Sequence, residues 1–228
     1  MTSRGQRSFA DFPSIAAKLY DSMTRTRAIQ CQYREIAADL ASRIESGRIL
    51  DVGTGPGRLL AELRQLNPAF ELYGLDISAS MVELARRRLS GLGIDIRLGD
   101  MQHSGYDDNF FDIVTCTGSF YLWDAPQKCL EEVFRILKPG QSAYLFESYR
   151  DCDQAEVRKG LKTNLKGESL VRRVIAPCLF RKQLGMTYRM AEVATIIQQT
   201  RFARSHAIDR IRLAQLPAWL RIRLTKEA

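Results

Sequence analysis

The chain predicts an α/β fold: a mostly parallel sheet of seven strands, with helices on both faces and an antiparallel strand pair at its C-terminal end. Three observations carry that expectation. Short apolar runs alternate with segments of helical periodicity between about residues 47 and 148. A glycine cluster stands directly between the first of those runs and the helix that follows it. Two runs that alternate apolar residues with arginine then close the chain with no helix between them. Strands alternating with helices of this length pair in parallel, and right-handed crossovers lay the helices over both faces.

The elements follow in order. From residue 13 to about residue 46 the pattern is helical in two pieces. These are "PSIAAKLYDSM" and "YREIAADLASRIES", the second with Tyr33, Ile36, Leu40 and Ile44 three or four apart and a stop at Gly47. "RILDVG" is the first strand, entering the glycine cluster, and "GRLLAELRQLNP" is the helix after it, ended by Asn67-Pro68. "ELYGLDI" is the second strand, and "SASMVELARRRLSG" a helix with Ser78 or Ser80 as N-cap. "IDIRLGD" and "FDIVTCTG" are the third and fourth strands. "PQKCLEEVFRIL" is a helix, and "SAYLFES" the fifth strand, after a turn at Pro139-Gly140.

Beyond Glu147 the regularity loosens. Residues 151–185 hold charged helical segments and one apolar piece, "VIAPCLF", broken by Pro177. "YRMAEVATIIQQ" is a further helix. "SHAIDRIRL" and "AWLRIRL", separated by "AQLP", form the closing antiparallel pair. No repeat, low-complexity tract or long linker divides the chain, so residues 1–228 are expected to form one domain, with 1–46 as an N-terminal helical cap.

Composition bounds the function. A hydrophobic content of 45% excludes general disorder, and no run approaches the roughly 18 apolar residues that cross a bilayer. The start, "MTSRGQRSFADF", lacks a signal peptide's apolar stretch, which points to the cytoplasm. Five scattered cysteines (Cys31, Cys116, Cys129, Cys152, Cys178), no CxxC and only His103 and His206 beside them argue against a disulfide framework or a bound metal. The net charge of +8 is unevenly placed. Residues 1–150 carry 18 basic and 19 acidic side chains, and residues 151–228 carry 16 and 7.

The strongest local signal is "ILDVGTGPG". Gly53, Gly55 and Gly57 permit a tight turn and close backbone approach, and the next helix offers its positive end. The spacing is GxGxG rather than the dinucleotide GxGxxG, and no Gly-Lys-Ser/Thr follows. Asp51 stands just before the loop, and a carboxylate there suits a ligand with a cationic ammonium group better than one with a pyrophosphate.

These residues resemble the first motif of the class I S-adenosylmethionine-dependent methyltransferases, specifically the small-molecule, type 11-like branch. The likeness is strongest from about Tyr20 to Glu147 and implies a Rossmann-like fold with S-adenosyl-L-methionine as cofactor. It implies that Asp51 partners the cofactor's amino group, directly or through water, while Gly53 and Gly55 contact its methionine portion, with Thr54 and Gly57 in the same loop. "GLDIS" resembles the second motif, with Asp76 on the ribose hydroxyls and Ile77 against adenine. "LGDMQ" resembles the third, with Asp100 near the adenine amino group and Met101 against the ring. "FDIVTCTGSFYLW" resembles the fourth, which brings Thr117 to the cofactor, and "RILKPG" completes the run. The Tyr20-Asp21 pair resembles an N-terminal helix that folds over the cleft, with Tyr20 closing the pocket. Arg58 either lines the loop or is a solvated first-turn side chain.

Tyr20, Phe120, Tyr121 and Trp123 are candidates for aromatic walls around a positively charged methyl donor, with at least one of them packing in the core instead. The fourth strand lacks the Asn/Asp-Pro-Pro-Tyr/Phe pattern of enzymes that methylate amino groups of bases or glutamine, and the Pro-Cys of cytosine C5 enzymes. A small-molecule acceptor, anionic or neutral, is therefore favoured over nucleic acid or protein. The sequence assigns no catalytic base; the candidates for a catalytic contact are Tyr20, His103, Glu147 and Tyr149. The resemblance implies that residues 151–185 form an acceptor lid. Their positive charge suits an anionic metabolite, a carrier protein, nucleic acid or an anionic membrane face, or simply keeps a helical surface solvated. A protein or RNA methyltransferase, a non-catalytic cofactor-binding subunit and, last, a nicotinamide oxidoreductase are the competing readings. The sequence gives no oligomeric state.

Overall fold

A computed structural model describes residue 21 and residues 26–228 of the chain, the side chains of 171 and 172 excepted. The expected helix over "PSIAAKLYDSM" lies outside the described residues apart from Asp21. The first full helix, α1 (Arg27–Ala41), starts earlier than its apolar stripe, because Thr26 caps it by accepting a hydrogen bond from the Ile29 amide. It also ends earlier than expected, at the Ser42 cap. Gly47 opens β1 (Gly47–Val52) instead of stopping the helix.

The alternation that follows is as the sequence predicts. In order come α2 (Arg58–Leu66), β2 (Phe70–Asp76), α3 (Ala79–Arg88), β3 (Asp95–Leu98), β4 (Phe111–Thr117), α4 (Pro126–Ile136) and β5 (Leu137–Ser148). Ser78 is the N-cap of α3, accepting from the Met81 amide. β5 is longer than "SAYLFES". Phe111 pairs with Leu137 and Ile113 with Ser142, so Pro139-Gly140 is a bulge inside the strand and not a turn before it. Gly140 takes φ of +76° there, and its amide donates to the Lys226 carbonyl at 2.7 Å.

Residues 151–185 are almost wholly helical, as α5 (Gln154–Asn164) and α6 (Leu170–Met186). Pro177 does not break α6. A proline inside a helix removes one backbone donor, but Leu184 is buried and Phe180 packs on the core, and those contacts hold the helix through the defect. The chain closes with α7 (Met190–Gln198), β6 (His206–Leu213) and β7 (Leu216–Thr225).

The seven strands form one sheet in the order β3-β2-β1-β4-β5-β7-β6, parallel except where β7 pairs antiparallel with both β5 and β6. Consecutive residues of the central strands are buried, among them Ile49 and Leu50, and Ile113 and Val114, so both faces are covered. Strand order reverses between β1 and β4, the switch point beyond whose carboxyl ends a crevice opens.

Candidate active site

A cavity of about 640 Å³ lies at that switch point, bounded by the carboxyl ends of β1, β2 and β4 and by α6. One half is backbone and carboxylate. Gly53, Gly55 and Gly57 all take left-handed φ, at +67°, +52° and +75°. They do different work. A Cβ at Gly53 would stand 2.2 Å from the Ser119 Oγ, so the missing side chain makes room for the β4 loop. A Cβ at Gly57 would strike Leu89 at 2.6 Å; this glycine caps α2 and packs against α3, away from the cavity wall. At Gly55, which lines the cavity, a Cβ would meet nothing within 4 Å, so its face is open to the cavity.

Asp76, at the end of β2, lines the cavity and crosses to the loop. Its Oδ2 accepts from the Gly55 amide at 2.8 Å and its Oδ1 from the Ser78 amide at 2.9 Å. Burial raises its pKa against those two donors. Each carboxylate oxygen keeps a further lone pair for a ligand hydroxyl. Asp51 sits one layer behind the wall. Its Oδ2 accepts from the Thr54 hydroxyl at 2.8 Å, while its buried Oδ1 has no hydrogen-bond partner. Burial pushes its pKa up to about 7, the Thr54 hydrogen bond opposing and the Asp76 charge adding to the shift. A cationic donor reaching that oxygen would relieve both defects at once.

Asp100, Met101 and Ile77 line the far end. Asp100 caps the short turn Met101–His103 by accepting from the Gln102 amide at 2.9 Å. Met101 is buried, whereas Ile77 is 42% exposed. Thr117 lies on the floor with its Oγ1 buried and unpartnered.

The other half is built from Tyr33, Tyr121, Leu122 and Trp123, with Leu179, Lys182, Gln183 and Met186 of α6. Phe120 is buried in the core and is the one aromatic of the "SFYLW" run that does not reach the cavity. Tyr20 lies outside the described residues. The other three candidates for a catalytic contact do not line the cavity. His103 is exposed beyond the rim, and Tyr149 is buried next to β7, its amide donating to Ala218. Glu147 is buried beneath the β4 loop. It accepts from the Tyr121 and Ser148 amides, and burial pushes its pKa up to about 8 against them. Its place is to hold the loop that carries Tyr121. Arg58 does not line the cavity: it donates to Asp21 at 2.8 Å, as does Arg88, which also binds the Pro56 carbonyl. Asp21 is thereby fastened to the back of the glycine loop.

Sequence reasoning missed Tyr33, Ser119 and the four residues of α6. In sequence Tyr33 reads as part of a core stripe, and α6 carries apolar residues all round, so no single face stands out. Among the described residues no cluster of His, Cys, Asp or Glu is arranged to hold a metal ion.

Residues 50–145 match the family model of the methyltransferase domain. Over that stretch the chain is similar to methyltransferase domains. A demethylmenaquinone methyltransferase of Deinococcus radiodurans is 34% identical over 148 residues, which is 63% of this chain and 61% of that relative. The chain spans about six tenths of the length of the first curated relatives it matches. Two solved structures share the fold across nearly the whole chain. A putative S-adenosyl-L-methionine-dependent methyltransferase of Methanococcus maripaludis aligns at a TM-score of 0.74 and 22% identity, covering 100% of this chain and 98% of its own. The plantazolicin methyltransferase BpumL, in complex with S-adenosylhomocysteine and a desmethylplantazolicin analogue, aligns at 0.71 and 15%, covering 94% and 92%.

Proposed function

We propose that this protein moves the methyl group of S-adenosylmethionine to a small, ring-bearing acceptor held between Tyr121, Trp123 and α6. The observation that carries the reading is the division of one cavity into a polar, glycine-lined half and an apolar, aromatic half. Its volume of about 640 Å³ lies in the usual range for small-molecule sites, about 300–1,000 Å³. The likeness to a protein named for demethylmenaquinone supports a quinone-type ring as acceptor. Lys182, on the rim of the apolar half, suits an acceptor with an anionic or oxygen-rich edge.

The residues fit the donor. Asp51 would partner the ammonium group, directly or through water, Gly53 and Gly55 would let the methionine portion lie against backbone, and Thr117 would offer its unpartnered hydroxyl. Asp76 accepts from the ribose hydroxyls. Asp100, Met101 and Ile77 hold the adenine end. Bound there, the donor would supply a methyl carbon already activated by its positive sulfur, the carbon–sulfur bond breaking as the carbon–acceptor bond forms, with the sulfur leaving as a neutral thioether and the acceptor's displaced proton passing to solvent. The chain's part is to align acceptor and donor and to keep water out, with Tyr121 and Trp123 as walls and residues 151–185 as the acceptor's cover. No residue is assigned as base. A cavity of this size, bounded on one side by α6, favours a small acceptor over a nucleic acid or protein strand. We place the protein in the cytoplasm; no helix among the described residues is long and apolar enough to cross a membrane.

Calorimetry with S-adenosylmethionine tests the donor site. Asp76→Ala is expected to lower affinity by at least about tenfold, the loss of hydrogen bonds to a charged group, with Asp76→Asn between it and the wild type. A variant that melts like the wild type and binds unchanged would overturn the assignment of Asp76. Methyl incorporation into a prenylated quinol, against bulk protein and RNA, tests the acceptor.

A further inference from the structure

We propose that the outer face of α6 docks on an anionic lipid bilayer and turns the acceptor half of the cavity towards it. The inference rests on the small-molecule reading above and deepens it, because it makes the acceptor one that is dissolved in lipid.

Four large apolar residues of α6 face solvent: Leu170 is 76% exposed, Val174 73%, Ile175 47% and Leu179 39%. Isolated exposed apolar side chains are ordinary, but a run on one helix is not. The same helix buries Leu184 and packs Phe180 on the core, so its inner face is satisfied and its outer apolar residues are surplus to the fold. That surface is cationic as well. α6 contains Arg172, Arg173, Arg181 and Lys182 and no acidic residue, and residues 154–186 carry eight basic side chains against two acidic ones. Arg173, Arg181 and Lys182 are exposed. Apolar side chains mixed with lysine and arginine, without counter-charges, complement an anionic headgroup layer. The apolar groups enter the interface while the cations meet the headgroups.

The position of the helix gives the contact a purpose. Leu179, one of the four exposed apolar residues, also lines the cavity, and Lys182 and Met186 continue the cavity wall, so the exposed apolar run of α6 leads to the cavity. A ring acceptor carried on a lipid tail could therefore pass from the bilayer along α6 to Tyr121 and Trp123 with its apolar parts covered.

The test is sedimentation of the full chain with vesicles of phosphatidylcholine containing phosphatidylglycerol, against phosphatidylcholine alone. Binding is expected to the anionic vesicles only and to weaken as salt is added. Removing one arginine, in Arg173→Gln or Arg181→Gln, should weaken it about fivefold, and Val174→Asp with Ile175→Asp should abolish it. Binding to neutral vesicles alone, equal binding of the variants, or no binding to either vesicle overturns the proposal. S-adenosylmethionine affinity, measured in parallel, separates the two claims. If it persists while vesicle binding is absent, the docking surface falls and the methyltransferase reading stands; if it is absent, that reading falls whatever the vesicles show.

Discussion

The two halves of the cavity are made by different means. The half proposed for the donor is backbone: a loop of left-handed glycines, amides aimed at Asp76, and carboxylates fixed at strand ends. The acceptor half is side chain: aromatics from a loop and four residues from a helix that is apolar on its inner and outer faces. Backbone conformation leaves a local mark in sequence, because few residues other than glycine tolerate positive φ. A wall of side chains leaves none, since Leu179 or Met186 reads the same whether it faces core, cavity or solvent.

The sharpest break of that contrast lies within the glycine loop itself. Gly53→Ala pays backbone strain and forces a Cβ against Ser119, which is held by the Val52 carbonyl and Cys116. A loss on the order of 3 kcal/mol is expected, read as a lower midpoint in urea. Gly55→Ala carries the backbone strain alone, on the order of 1–2 kcal/mol, because its Cβ enters open space. On the proposed reading that space is the donor's, so Gly55→Ala should lose more donor affinity than its stability loss implies. Equal stability losses in the two variants would show that Ser119 yields freely and that the loop's glycines are interchangeable.

The same distinction accounts for what the sequence made legible. All seven strands, their order of appearance and the carboxylates at their ends follow from apolar runs bounded by glycine and proline. The misreadings are places where distant contacts overrule local chemistry. Pro177 stays inside α6 because that helix is anchored at Phe180 and Leu184. "AQLP" contains a two-residue hairpin turn with Ala214 and Gln215 both at positive φ, although neither residue favours it. The Glu35 carboxylate and the Asn164 amide, from α1 and α5, bind its backbone at 2.8 and 2.7 Å and hold it there. Glu147 looked like an acid poised at a strand end, but its partners are the amides that position Tyr121.

A smaller effect should separate the halves by pH. Asp51 has a folded-state pKa of about 7, above its unfolded value of 3.8, so the folded chain retains a proton that the unfolded chain releases. Its contribution to stability is whole below about pH 4 and is lost as pH rises through about 7. Donor binding runs the other way, because the ammonium group needs the ionised carboxylate. Affinity for S-adenosylmethionine is expected to rise as pH increases through about 7, and Asp51→Asn should flatten the profile at the low-affinity end. A wild-type affinity independent of pH across that window would detach Asp51 from the donor.

The smallest effect tests the acceptor half alone. Lys182 lines the rim, is exposed, and touches none of the donor-side residues Asp51, Asp76 or Asp100 by hydrogen bond or ion pair. Lys182→Gln should leave the donor's Kd unchanged. If the acceptor presents an anionic or oxygen-rich edge, KM for it should rise severalfold, the weight of one exposed charge contact of up to about 1 kcal/mol, with kcat little altered. Because the lost attraction acts on binding and not on methyl transfer itself, the KM effect should shrink as salt screens the charge. A fall in kcat at constant KM would instead put Lys182 beside the reacting atoms, and the division of the cavity into a donor half that binds and an acceptor half that selects would have to be redrawn.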